Sequence, residues 1–134
     1  MKTIKVAAAI IRDNDKILAT QRGYGEFQGM WEFPGGKIEA GETPTEALER
    51  EVKEELNVSV EVEKFMKRIE YDYPQFHLSM DCFICKIKSG TLELREHQQA
   101  KWLTKDTIEN LNWLPADIEL IMELKVVMED FKEM

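Results

Sequence analysis

No stretch of this sequence approaches the roughly eighteen uninterrupted apolar residues that a membrane-crossing helix needs, so spanning helices are not expected. A basic surplus is also missing: 18 Lys and Arg stand against 26 Asp and Glu, a formal net charge of −8. Such a surface repels polyanions, which argues against nucleic acid polymers and anionic membranes as partners. A small phosphate-bearing molecule remains compatible, provided a divalent cation sits between it and the protein. Cysteine is scarce. Cys82 and Cys85 form the only C-x-x-C, and a zinc site needs about four ligands. The run His77 to Cys85 looks like a strand, in which this odd spacing puts the thiols on opposite faces. They read as two ordinary half-buried thiols.

Repeats, low-complexity tracts and linkers are absent as well. What is present suits an ordinary globular chain: 134 residues, 43% hydrophobic and 33% charged. That length fits one domain spanning 1–134, with roughly two-thirds of the unfolded surface buried. Met1 to Lys5 followed by apolar Val6 to Ile11 has the outline of a secretion signal. The run is short, however, and Arg12-Asp13-Asn14-Asp15 replaces a small-residue cleavage site. A strand entering a turn in a cytoplasmic protein is the better expectation.

Thr3 to Ile11 and Lys16 to Gln21 are expected to form a hairpin around Asp13-Asn14-Asp15. Met30 to Phe33 reads as a short strand broken by Pro34-Gly35-Gly36, a sharp bare turn. The clearest helix starts at Thr43, a good N-cap, with Pro44 at the first position and Glu46 completing a capping box. Leu48, Val52 and Leu56 give it an apolar stripe, and Asn57, tolerant of the left-handed conformation, ends it. Val58 to Tyr73 and Phe76 to Ile87 alternate as strands, and Thr91 to Leu94 as a short edge strand. Trp102-Leu103 leads into a short helix near 105–111. Pro115 opens a last helix with Ile118, Ile121, Leu124, Met128 and Phe131 inward. The order predicts an α/β domain with a mixed sheet.

The chemistry concentrates on the first helix. Glu51, Glu54 and Glu55 share one side of it, about 100° round from the Leu48 stripe. Each like-charge pair costs a few tenths of a kcal/mol (~0.2–0.5), and acids near a helix C-terminus oppose its dipole. A hard divalent cation relieves both. A solvated acidic face accounts for Glu42, Glu46 and Glu49 but leaves Glu54 and Glu55 without basic partners one turn later. The preceding Gly35-Gly36-Lys37 lets backbone approach a ligand closely, although it is not a P-loop.

Gly36, Glu42, Arg50, Glu51, Val52, Glu54, Glu55, Asn57 and Val58 together resemble the signature box of the Nudix hydrolases, with Asn57 in place of the box's second glycine. The resemblance extends to Trp31-Glu32-Phe33-Pro34-Gly35-Gly36-Lys37, Ile69 to Pro74, Glu96-His97-Gln98 and Leu114-Pro115-Ala116-Asp117, towards the MutT-type enzymes. It implies an αβα sandwich around a mixed sheet and Mg²⁺-dependent hydrolysis, with Mn²⁺ as an alternative ion, of a nucleoside triphosphate to monophosphate and pyrophosphate. It further implies Glu54, Glu55 and the Gly36 carbonyl as metal ligands, Glu51 or Glu96 as ligand or base, and Arg50 as their orienting cation. Arg22 and Lys37 would meet phosphate or ribose, Phe33 and Tyr73 would stack on the base, and Asp117, an acceptor-only carboxylate, would read it. Cytidine-type and oxidised guanine nucleotides both remain open as substrates. A nucleotide-sugar or dinucleotide hydrolase and a non-catalytic nucleotide sensor are the competing readings. A monomer or homodimer is expected.

Overall fold

The computed structural model describes residues 1–131. Their order is β1 (Thr3–Asp13), β2 (Lys16–Arg22), β3 (Trp31–Glu32), β4 (Gly35–Lys37), α1 (Pro44–Leu56), β5 (Val58–Tyr73), β6 (Phe76–Gly90), β7 (His97–Leu103) and α2 (Pro115–Glu129). Seven strands form a mixed sheet in the order β3-β2-β1-β6-β5, with β4 added to β1 and β7 to β2. β1 and β6 run parallel from Thr3 opposite His77 to Ile11 opposite Cys85.

Because side chains alternate along a strand, β1 and β6 divide their residues between two cores. Ala8, Ile10, Cys82 and Ile84 pack with Leu120, Leu124 and Met128 of α2. Ala7, Ala9, Ile11, Phe83 and Cys85 pack with Leu48, Val52 and Leu56 of α1. Each Ile, Leu, Val, Met or Phe side chain among them contributes about 1.5–3 kcal/mol when fully buried, and together these residues hold one helix against each face. The α/β sandwich is as expected, and so are the opposed faces of the two thiols, although both are fully buried.

α1 matches its sequence signals closely. Thr43 accepts from the Glu46 N–H at 3.2 Å while Glu46 accepts from the Thr43 N–H at 2.8 Å. Asn57 ends the helix at φ 60° and ψ 27°, its N–H donating to the Lys53 carbonyl.

Several expectations need correction. Gly35-Gly36-Lys37 is no bare turn but strand β4, paired with Val6–Ala8 of β1. β1 and β2 pair only beside their turn, at Arg12–Ile17 and Asp13–Lys16, and the edge of β1 left free farther along receives β4. His97–Leu103 is a strand along β2 that escaped notice because a two-sided edge strand with only Ala100, Trp102 and Leu103 apolar carries a weak alternation. Thr91 to Leu94 is irregular, and the expected helix near 105–111 is a single 3-10 turn at Ile108–Asn110. Val58–Tyr73, expected as one long or two short strands, is one long strand, bent by three irregularities in its pairing with β6. On α2, Ile118 is exposed, and Leu120 takes the core position.

Candidate active site

The acids of α1 do not share one fate. Glu55, one residue before the end of the helix, is buried at 7% exposure. Glu51 stands over β4, where a Cβ on Gly36 would lie 2.5 Å from its carboxyl carbon. Glu54 turns outward with a side chain 58% exposed, 3.6 Å from Arg50. Arg50 gathers the rest: its guanidinium donates to Glu42 at 2.7 Å, to Glu51 at 2.7 Å and to the Lys37 carbonyl at 3.1 Å. It thereby ties α1 to β4 and holds the Glu42 carboxyl down at about 2, with help from the Glu39 backbone.

Behind this outer cluster lies a small polar cavity lined by Arg22, Glu32, Gly35, Glu55, Glu96 and His97, among others. Arg22 ends β2 and binds Glu32 of β3 through two bonds, at 2.7 and 3.1 Å. Burial pushes Glu32 up, but His97 and Arg22 outweigh it and leave its carboxyl below the ordinary value. Glu55 has no such compensation. Burial, then the charges of Glu51, Glu96 and Glu32, push it up to about 9, against one bond from the Gly35 backbone. Its Oε2 has no hydrogen-bond partner.

Among the described residues, no three acids, histidines or cysteines stand close enough together to hold an ion. Arg50 holds Glu51 to one side of the cavity through a bond of 2.7 Å. The donor set still fits a hard divalent cation: carboxylate oxygens, one of them buried and unpartnered, and the Gly36 backbone, which no side chain screens from Glu51.

A second cavity, largely apolar, abuts the first and shares Arg22, Glu32, Phe33 and Gly35 with it. Gly35 permits the junction, since a Cβ there would fall 2.1 Å from the Ala7 carbonyl oxygen. Phe33 stacks on Trp113 at 4.8 Å, and Tyr73 on Phe76 at 5.0 Å. The Tyr73 hydroxyl accepts from the Ala116 N–H at 3.2 Å, fixing the ring against the start of α2. Asp117 closes the cavity, 4% exposed. Burial, reinforced by the Glu32 charge, raises its carboxyl well above the ordinary range despite Arg22 and the Phe33 backbone. So raised, the carboxyl holds its proton more tightly than an exposed aspartate, and its protonated form donates from one oxygen and accepts at the other.

The structure thus brings Gly36, Glu51 and Arg50 together, groups Glu55 with Glu96 and Arg22, and lines the apolar cavity with Phe33, Tyr73 and Asp117. Lys37 lies outside both cavities, on an exposed edge with Lys2 and Lys5. Sequence reasoning missed Glu32, His97, Phe27 and Trp113. Glu32 left a trace as an acid between two aromatics in a strand, and His97 as the neighbour of Glu96, where it read as structural or solvent-facing.

Comparison with known proteins gives a consistent picture. A family model described as NUDIX domain matches residues 1–124. The 8-oxo-dGTP diphosphatase of Haemophilus influenzae is 36% identical over 125 residues, covering 92% of each chain. The CTP pyrophosphohydrolase of Escherichia coli is 34% identical over 122 residues, covering 90% of each. The solution structure of the E. coli ORF135 protein superposes with a TM-score of 0.82 at 32% identity, over 95% of this chain and 91% of that one.

Proposed function

The chain belongs to the NUDIX family, and from that premise we propose that it hydrolyses a nucleoside triphosphate to the monophosphate and pyrophosphate, acting on a cytidine-type or oxidised guanine nucleotide to cleanse the nucleotide pool. The observation that carries this reading is the adjoining pair of cavities, one acidic and one aromatic, joined at Gly35. Mg²⁺ would be held by Glu51, Glu54, Glu55, Glu96 and the Gly36 carbonyl; when bound, such an ion neutralises phosphate charge and lowers the pKa of a coordinated water.

The chain's own residues do the rest. Phe33 and Tyr73 take the base by stacking, Arg22 meets ribose or phosphate, and Lys37 reaches phosphate from the rim. Arg50 holds Glu51 in place, and Glu51 or Glu96 accepts the proton of the attacking water. The protonated form of Asp117, which burial favours, suits the cytidine branch. Its hydroxyl donates to the cytosine ring nitrogen while its carbonyl accepts from the exocyclic amino group. The N1–H and N2–H face of an oxidised guanine offers donors alone and suits an ionised Asp117. No described helix is long and apolar enough to cross a membrane, in keeping with a cytoplasmic enzyme of one domain that works as a monomer or homodimer.

The test is a substrate panel with Mg²⁺: CTP, 5-methyl-dCTP, 8-oxo-dGTP and ADP-ribose, reading pyrophosphate release. 8-oxo-dGTP is expected to gain on the cytidine nucleotides as pH rises and the raised Asp117 carboxyl ionises. Cleavage of ADP-ribose alone, or of nothing, would overturn the reading.

A further inference from the structure

His97 lines the acidic cavity and has no task in the proposed reaction, and its surroundings are unusual. It opens β7 opposite Arg22, at the point where the pairing with β2 shifts register. Its side chain is 6% exposed, with Nε2 3.6 Å from Glu32 Oε2 and 3.9 Å from Glu55 Oε2. Neither contact is a hydrogen bond, and both His97 Nδ1 and Glu55 Oε2 lack partners altogether.

As a space-filling residue, this imidazole would be a poor choice. Buried polar atoms without partners cost free energy that an apolar ring of the same size avoids. The arrangement makes sense if the ring has a second setting within reach. Arg22 fixes Glu32 through two bonds, and the Nε2 of the ring stands between Glu32 Oε2 and the unpartnered oxygen of Glu55, while Nδ1 has no partner. A cation can occupy only part of that carboxylate, and the ring N–H is the nearby donor for what remains.

We propose that His97 is a positioning residue, which carries the placement of the Arg22–Glu32 pair to Glu55 and so sets how tightly the acidic cavity holds its divalent ion. The inference rests on Glu55 being a metal ligand. Because Arg22 and Glu32 also line the aromatic cavity, it places one chain of contacts between the base-binding and metal-binding ends of the site.

The test is Mg²⁺ binding by the metal-free full-length protein, measured calorimetrically without substrate. His97→Phe, which keeps a planar ring and removes both nitrogens, is expected to weaken binding by about tenfold, the low end for partners standing behind metal ligands. His97→Gln, which restores a donor, is expected to recover most of that loss. In turnover, His97→Phe should lower kcat at subsaturating Mg²⁺ and leave KM for the triphosphate unchanged. Wild-type protein supplies a reading that needs no variant: the His97 ring nitrogen shifts should move with Mg²⁺ at the calorimetric dissociation constant. Still ring signals, or variants that bind Mg²⁺ like wild type while Glu55→Gln does not, would overturn this inference alone. A wild type that binds no Mg²⁺ would overturn the metal-site reading, and this inference with it.

Discussion

Adjacent glycines in β4 carry different burdens, and single substitutions separate them. A Cβ on Gly35, whose φ is 146°, would fall 2.1 Å from the Ala7 carbonyl oxygen and 2.9 Å from the Ala8 Cα, so backbone must yield. A Cβ on Gly36 meets only the side chain of Glu51, at 2.5 Å, and a side chain can swing away. Gly35→Ala is therefore expected to lower stability by several kcal/mol (about 3, near the large end for single substitutions), measured by urea unfolding. Gly36→Ala should keep the fold and lose activity by roughly 100-fold or more, as a misplaced reacting group does. Equal stability losses in the two variants would contradict this division. The sequence showed that glycines stand here; which neighbour each one touches depends on β1 and α1 arriving from elsewhere in the chain.

At the scale of the element, α1 was legible from end to end because its signals are local. The capping box, the four-residue stripe and the left-handed terminus each involve residues within one or two turns. Asn57 replaces the glycine of the family box and takes the backbone conformation that glycine would, adding a bond from Arg95 to its side-chain oxygen at 3.0 Å. Asn57→Gly should change stability by no more than about 0.5 kcal/mol, whereas Asn57→Ala should cost about 1–2 kcal/mol for the left-handed strain, both read from thermal unfolding. An alanine variant as stable as wild type would show that the cap carries no strain. β7 and β4 were not legible for the opposite reason. A short edge strand has half its pattern facing solvent and owes its existence to a partner, β2 for one and β1 for the other.

Across the whole molecule, the buried acids tie stability to pH. Glu55 faces Glu51 on its own helix, Glu96 and His97 from the chain at the start of β7, Glu32 from β3 and the Gly35 backbone of β4. Its folded value of about 9 lies above the ordinary 4.5, so the folded state keeps a proton that the unfolded state gives up. The contribution to stability is complete below about pH 4.5 and drains away as pH climbs through about 9, since the unfolded chain binds fewer protons over that window. Metal-free protein should accordingly melt lower at about pH 9 than at about pH 5, and Glu55→Gln should flatten that slope. Saturating Mg²⁺ competes with the proton and should raise the Tm more at the alkaline end. A Tm equally pH-dependent in Glu55→Gln would remove Glu55 as the source.

The sequence by itself determined α1 with its caps, the spacing of Glu51, Glu54 and Glu55, the strands β1 and β6, and the family. These rest on hydrogen bonds and periodicities between near neighbours. Only the tertiary structure decided that Glu55 is buried while Glu54 faces water, that Glu32 and His97 join the acidic cavity, that burial raises the Asp117 carboxyl, and that Lys37 lies outside both cavities. Burial and charge at a given atom are set by every segment that packs around it, and those segments meet only when the sheet has closed.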